Sequence, residues 1–336
     1  MPAADVTQSE WSASLRRLAA MSNSQLGTAN VAALNLWAGQ ALPGAEALDI
    51  AACLSKLTMW TELVRMNTEH WWPDFLRSPA TYEHSPGRFR MMALATVVQR
   101  DLGVRYNRSF SDGEYDARDS RNLFLHGVLS GHGGTCVTIP TLYIAIGRAL
   151  GYPLHLVQAK EHLFARWEEP GGERFNIECT SLGFVSHEDT YYHRRPKPLT
   201  SQDITSGKFL RSLSPREELA VLLKERGQCL MDHLWLGDAL EALYYANQLA
   251  PDLPGAECAW ATATLLYLAL ERTSLASRLV DREDIDLASL PLPALASDPT
   301  GRIRRNARMH LERIARLRSP VRVPARDLVF QEFVTT

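Results

Sequence analysis

Cysteine is scarce in this 336-residue chain, and its five copies, Cys53, Cys136, Cys179, Cys229 and Cys258, stand far apart. With no CxxC pair among them, a disulfide framework is excluded and a reducing, cytoplasmic setting is expected. Structural zinc announces itself by closely spaced ligands. Cys136, His162, Cys179 and His132 are too dispersed for that pattern, so neither a metal nor a cofactor is expected. No apolar run approaches the ~18 residues of a bilayer span, which argues against a membrane protein. The first residues lack a basic start followed by an apolar stretch, so no signal peptide is expected. Charge of one sign is missing too: 36 Lys and Arg face 38 Asp and Glu, leaving a net −2. That balance gives no reason to expect a nucleic-acid partner.

What is present is a 46% hydrophobic chain, enough for a sizeable core and about two domains. Residues 1–100 read as helical. Residues 11–21, 48–57 and 88–100 place apolar residues at spacings of three and four, with Ser85-Pro-Gly as a leading turn. Residues 103–121 are polar and read as a loop. The middle changes character: a helix over Thr138–Leu150 is followed by three strand candidates, residues 152–159, 162–167 and 175–180. The Glu169-Pro-Gly-Gly-Glu turn makes the last two a hairpin. Helix followed by consecutive strands indicates an α+β core over residues 101–200 rather than an alternating fold.

Residues 196–206 read as a polar connector, and helices resume from there to residue 336. Leu223, Gly227, Ala239, Leu243, Ala246 and Pro251 fit the spacing of one tetratricopeptide-like (TPR-like) hairpin over about residues 220–253, a candidate surface for a protein partner. Three prolines break residues 280–300. Arg302–Arg318 then reads as a basic amphipathic helix, its stripe made by Ile303, Ala307, Leu311, Ile314 and Leu317.

The most informative stretch is Gly131-His-Gly-Gly-Thr-Cys136, which leads into a helix. It has neither a P-loop lysine nor a GxGxxG spacing. The glycines leave backbone open to a substrate, and Pro140 belongs in the first helical turn. Cys136 is thereby set at the helix start, where free N–H groups and the helix dipole favour a thiolate. A base is expected at His162, which opens a strand 26 residues later. In the following strand Asn176, Glu178 and Thr180 alternate with apolar residues, so Glu178 or Asn176 can orient the imidazole ring. Cys179 faces the opposite, apolar side. The Cys136 N–H is the natural oxyanion donor, with the Asn122, His126 or His132 side chain as a possible second.

The run Gly-Gly-Thr-Cys136, Leu150-Gly-Tyr-Pro, His162 and Asn176-Ile-Glu178 resembles the core of the transglutaminase-like superfamily. Tyr115–Leu129 is similar to the segment before that core in a bacterial branch with helices on either side. The similarity covers about residues 85–250 and is sharpest over 131–180. It implies a papain-like fold: a helix carrying the cysteine packed on antiparallel strands and flanked by helical regions. It also implies a triad on Cys136, His162 and Glu178, with Glu178 standing where the family usually has aspartate. The expected activity is cysteine-dependent acyl transfer from an amide of a protein or peptide, through a thioester, with hydrolysis favoured over cross-linking. The alternative is a catalytically silent scaffold that binds partners through its helices.

Overall fold

The computed structural model describes residues 8–107, 116–233, 235–256, 259, 260, 262 and 263. Cys258, the proline-broken residues 280–300 and the basic helix expected at Arg302–Arg318 lie outside them. The protein divides into two compact units. The smaller takes α1 (Gln8–Ala19) together with the described residues from Leu219 on. The larger holds residues 22–218 and contains every residue of the candidate site.

In the larger unit, α2 (Asn23–Gly27), α3 (Val31–Gly39), α4 (Ile50–Arg77) and α5 (Pro86–Thr96) precede the strands. Hydrogen-bonded caps start them where the sequence offers a polar residue. Asp49 accepts from the Ala52 N–H at 2.9 Å, and Ser85 accepts from the Arg88 N–H at 2.9 Å. The helix expected at 48–57 runs on to Arg77, because Leu57, Val64, Thr68 and Phe75 continue one buried stripe. Pro73 falls only one turn from the C-terminal end, so its missing N–H costs the helix one bond, to the Glu69 carbonyl, and little helix remains beyond it. Phe75 and Tyr82 both meet Phe89, each with ring centroids 5.2 Å apart, and this fixes α4 against α5.

Next come α6 (Leu125–Leu129) and α7 (Thr138–Ala149), and then β1 (Leu154–Ala159), β2 (His162–Glu168) and β3 (Arg174–Ile177). The three strands form one antiparallel sheet in the order β1-β2-β3. Ala159 lies opposite His162, Val157 opposite Phe164, and Arg166 opposite Asn176. Period-two alternation splits β2 into two sets of side chains. Leu163, Ala165 and Trp167 join the buried core on one face, while His162, Phe164 and Arg166 stand on the other. Helix, hairpin and sheet agree with the α+β reading.

Two arginines, Arg148 half-buried and Arg166 buried, hold this core in place. Arg148, in the last turn of α7, donates to Glu218 Oε1 and Oε2 at 2.6 and 2.7 Å and to the Leu154 carbonyl at 2.8 Å. Arg166, only 1% exposed, donates to Asp189 at 2.6 Å and to Asn176 at 2.7 Å. Asp189 opens α8 (Asp189–Tyr192), so this network ties α8 to the sheet.

Residues 196–206, expected as a bare connector, contain α9 (Ser201–Ser206). Thr200 and Asp203 form a reciprocal capping box there, and Gly207 closes the helix with φ +62°. Two capping residues three apart are the signal that composition alone obscured.

Tight backbone packing supports the segment before α7. A Cβ added at Gly127 of α6 would lie 1.9 Å from the Arg121 carbonyl oxygen, a backbone atom with little room to move. Gly127→Ala is therefore expected to cost about 3 kcal/mol or more of stability, as severe overpacking does. A fall in the urea midpoint checks this, and an unchanged midpoint contradicts the packing.

In the smaller unit, α10 (Pro215–Asp232) continues from Leu219 and is followed by α11 (Leu236–Leu249), across the stretch read as a TPR-like hairpin. A Cβ on Gly227 would sit 2.4 Å from Leu243, so the two helices approach closely at that point. Ser12 of α1 donates to Glu241 at 2.8 Å, and the Arg226 guanidinium lies 3.8 Å from the Trp11 ring centroid.

Candidate active site

Hydrogen bonding begins α7 earlier than its regular span. The Thr135 carbonyl accepts from the Ile139 N–H at 3.1 Å. The Thr135 hydroxyl oxygen accepts from the N–H groups of Val137 and Thr138 at 3.2 and 3.3 Å, and Thr138 Oγ1 accepts from the Thr135 N–H at 2.8 Å. Thr135 thus caps the helix, and Cys136 takes the first position after the cap. The Thr135 hydroxyl also donates to the Asn122 carbonyl at 2.8 Å, which anchors the helix start to residues 120–122. Among the described residues no acceptor takes the Cys136 N–H, as expected for one of the free donors of a helix terminus. Cys136 itself is half-buried.

The glycine approach is set by backbone conformation. Gly131 and Gly133 have φ of +86° and +95°, a region that side-chain-bearing residues rarely adopt. Gly134 then pairs with the segment 105–107: its N–H donates to the Arg105 carbonyl and its carbonyl accepts from the Asn107 N–H, both at 2.8 Å. This pairing brings Tyr106 to the site.

His162 is the first residue of β2, its side chain 10% exposed. Its Nε2 meets Glu178 Oε2 at 2.9 Å, and Cys136 is among the groups whose influence raises the ring's pKa. With Nε2 turned to the carboxylate, Nδ1 is left for the thiol. Burial alone would lower the pKa of His162, but the influence of Cys136, the bond to Glu178 and the carboxylate charge outweigh it and raise the pKa to about 9.

Glu178 follows the last residue of β3. Its Oε1 accepts from the Thr180 N–H at 3.1 Å and the Thr180 hydroxyl at 2.5 Å, and its Oε2 accepts from the Tyr192 hydroxyl at 3.2 Å. Burial pushes its carboxyl upward; the His162 bond and charge and the Thr180 bonds prevail, holding it below the ordinary glutamate value.

The other residues singled out in the sequence lie elsewhere. The Asn176 amide is engaged with Arg166, Asp189 and the His187 carbonyl, so it orients the guanidinium network and not the imidazole. His126 is buried and meets the Ser120 hydroxyl at 3.2 Å; burial lowers its pKa to about 4, which makes it a neutral packing residue. Asn122 Oδ1 meets His132 Nε2 at 2.9 Å, and its Nδ2 donates to the Asp116 carbonyl at 3.0 Å. This pair braces the glycine loop. Cys179 is buried in the core, and burial raises its thiol well above the ordinary value.

Two tyrosines also stand at the site. The Tyr192 ring, fully buried, stacks on Phe164 at 4.0 Å and on His162 at 6.2 Å between centroids, and so backs the imidazole while its hydroxyl holds Glu178. Tyr106, half-buried, feels the charges of both Cys136 and Glu178. Burial first, and those two charges next, raise its pKa, so its hydroxyl keeps its proton. Tyr106 comes from a polar loop and Tyr192 from a four-residue helix, and neither segment has a periodicity to read.

Among the described residues no helix is long and apolar enough to cross a membrane, and no group of His, Cys, Asp and Glu side chains has the arrangement to hold a metal ion. A family model described as the transglutaminase-like superfamily matches residues 53–224, about half of the sequence, and this span includes all the residues above. No curated protein and no solved structure matches the sequence.

Proposed function

The chain belongs to the transglutaminase-like superfamily, and on that footing we propose that it is a thiol-dependent acyl-transfer enzyme with Cys136 as nucleophile, His162 as acid and base, and Glu178 as the group that orients the ring. The observation that carries this reading is the His162 ring, bonded through Nε2 to buried Glu178 and raised in pKa to about 9 with Cys136 at the helix start among the causes. With that pKa the imidazole holds at neutral pH the proton that a leaving amine needs.

The Cys136 thiolate attacks the amide carbonyl carbon and a C–S bond forms. The carbonyl oxygen becomes an oxyanion facing the free Cys136 N–H, and the protonated Tyr106 hydroxyl borders the same space. The C–N bond then breaks as His162 passes its proton to the leaving amine. Neutral His162 next takes a proton from water as the water attacks the thioester, releasing the acid and restoring the thiolate and imidazolium. An amine in place of water would give cross-linking by the same steps. Hydrolysis is the proposed outcome, since water needs no binding site. The substrate class is an amide of a protein or peptide.

The test is thioester trapping. The full-length protein is incubated with a peptide amide library, quenched in acid and examined by intact mass and tryptic mapping. An acyl adduct on Cys136 alone, cleaved by hydroxylamine and lost in His162→Ala, is expected. Equal, slow modification of Cys53 and Cys136, unaffected by His162→Ala, would replace this reading with the silent scaffold.

A further inference from the structure

Beside the triad lies a cleft of about 390 Å³ whose lining the mechanism leaves unexplained. Its walls include Lys56 and Trp60 of α4, Arg105 and Tyr106 of the following loop, and His132 and Gly133 of the glycine approach. Tyr106 belongs to both places: it lines the cleft, and its hydroxyl feels the charges of Cys136 and Glu178. A peptide segment lying over the thiol would thus run past Tyr106 into the cleft.

The charge of the lining is one-sided. Two cations face the cleft, and among the described residues no carboxylate lines it. Lys56 and Arg105 have no ion-pair partner among the described residues either, in a molecule where most arginines of this unit do. The Lys56 ammonium is held in place: it donates to the Leu129 carbonyl at 2.7 Å and sits 5.3 Å from the Trp60 ring centroid. An ammonium has three N–H donors, so this anchoring leaves others for a ligand. A concave wall lined by cations and without carboxylates concentrates and binds anions.

We propose that this cleft is a specificity subsite for a carboxylate carried next to the amide under attack. The inference rests on the acyl-transfer reading for what happens at the thiol, but the binding preference itself stands on the cleft alone. An acidic side group and the terminal carboxylate of a peptide share this chemistry, and the probes below separate them.

The full-length Cys136→Ser variant, which cannot form the thioester, is titrated by NMR with three peptides: acetyl-Gly-Glu-Gly-amide, acetyl-Gly-Gln-Gly-amide, and acetyl-Gly-Gln-Gly with a free terminal carboxylate. At least one carboxylate peptide is expected to bind about tenfold tighter than the uncharged one, as a charge-assisted hydrogen bond provides. Which one does so identifies the source. Lys56→Met and Arg105→Gln should each erode the preference, Lys56→Arg should retain it, and raised salt should weaken it. Arg105 is exposed, so its variant reports even if Lys56→Met disturbs the Leu129 contact. Equal binding of all three peptides, no binding of any, or a preference that survives both charge-removing variants overturns the proposal. Chloroacetyl forms of the same peptides, offered to the wild-type protein, separate the two readings. If none alkylates Cys136 faster than Cys53, the acyl-transfer reading fails whatever the titration shows.

Discussion

Cys136→Ser is expected to leave the protein folded and to lower turnover of an amide substrate by at least about 10⁴-fold, the scale on which removal of a triad nucleophile acts. The folded state survives because Cys136 carries no part of the helix cap. Thr135 supplies the hydroxyl that accepts from Val137 and Thr138, and its carbonyl accepts from Ile139. The loss of rate follows from acidity. A serine hydroxyl cannot surrender its proton to an imidazole in the ground state as a helix-start thiol does. One further reading distinguishes this from general damage. Cys136 is among the causes that raise the His162 pKa, so the ring's titration midpoint should fall from about 9 in the serine variant while the thermal midpoint stays in place. A variant that keeps its rate, or one that unfolds, would contradict the assignment.

The second large effect is expected at Glu178. Glu178→Gln keeps the size of the side chain but removes the charge, and a drop of about 10²–10⁴ in kcat is expected, by analogy with the loss when a triad carboxylate becomes an amide. The pH dependence carries the sign. His162 has a raised pKa, so its charged form, and the stability its partners lend, is complete below the ordinary imidazole value of 6.5 and is lost as pH rises through about 9. Glu178 is held low, so its contribution is present above the ordinary glutamate value of 4.5 and is lost as pH falls. The window for the pair therefore runs from the carboxylate range up to about 9. In wild type the alkaline limb of kcat should lie near 9; in Glu178→Gln it should move down toward 6.5. Glu178→Asp restores the charge on a shorter arm, and its loss should be smaller than that of the amide. An alkaline limb indifferent to residue 178 would remove the carboxylate from the mechanism.

The residues proposed to bear the chemistry could be read because each lies in a segment with strong local rules. Glycines followed by a thiol and a proline mark a helix start, and alternation on two strands places His162 and Glu178 on one face. Alternation alone left Asn176 as an alternative to Glu178, because they share that face. Register decides it. Asn176 lies opposite Arg166, and His162 is four residues from Arg166 along β2, roughly 13 Å at ~3.3 Å per residue. Asn176 is thus beyond reach of the ring, while the longer arm of Glu178, two residues further on, closes the gap. The extent of α4 escaped for a different reason: its second half carries bulky aromatics and a proline, and only the tertiary contacts of Phe75 with Tyr82 and Phe89 show that the helix persists. Tyr106 and Tyr192 depend wholly on partners distant in sequence.

The brace formed by Arg166, Asp189 and Asn176 has a consequence for how such a protein can diversify. It clamps the short helix bearing Tyr192 to the sheet, so the rear of the imidazole is tied directly to the strands. The front is made of loops and one long helix, whose residues can be exchanged without touching the brace. Relatives tuned to different amides should therefore differ at the front, around positions 56, 105 and 132, and keep the rear unchanged.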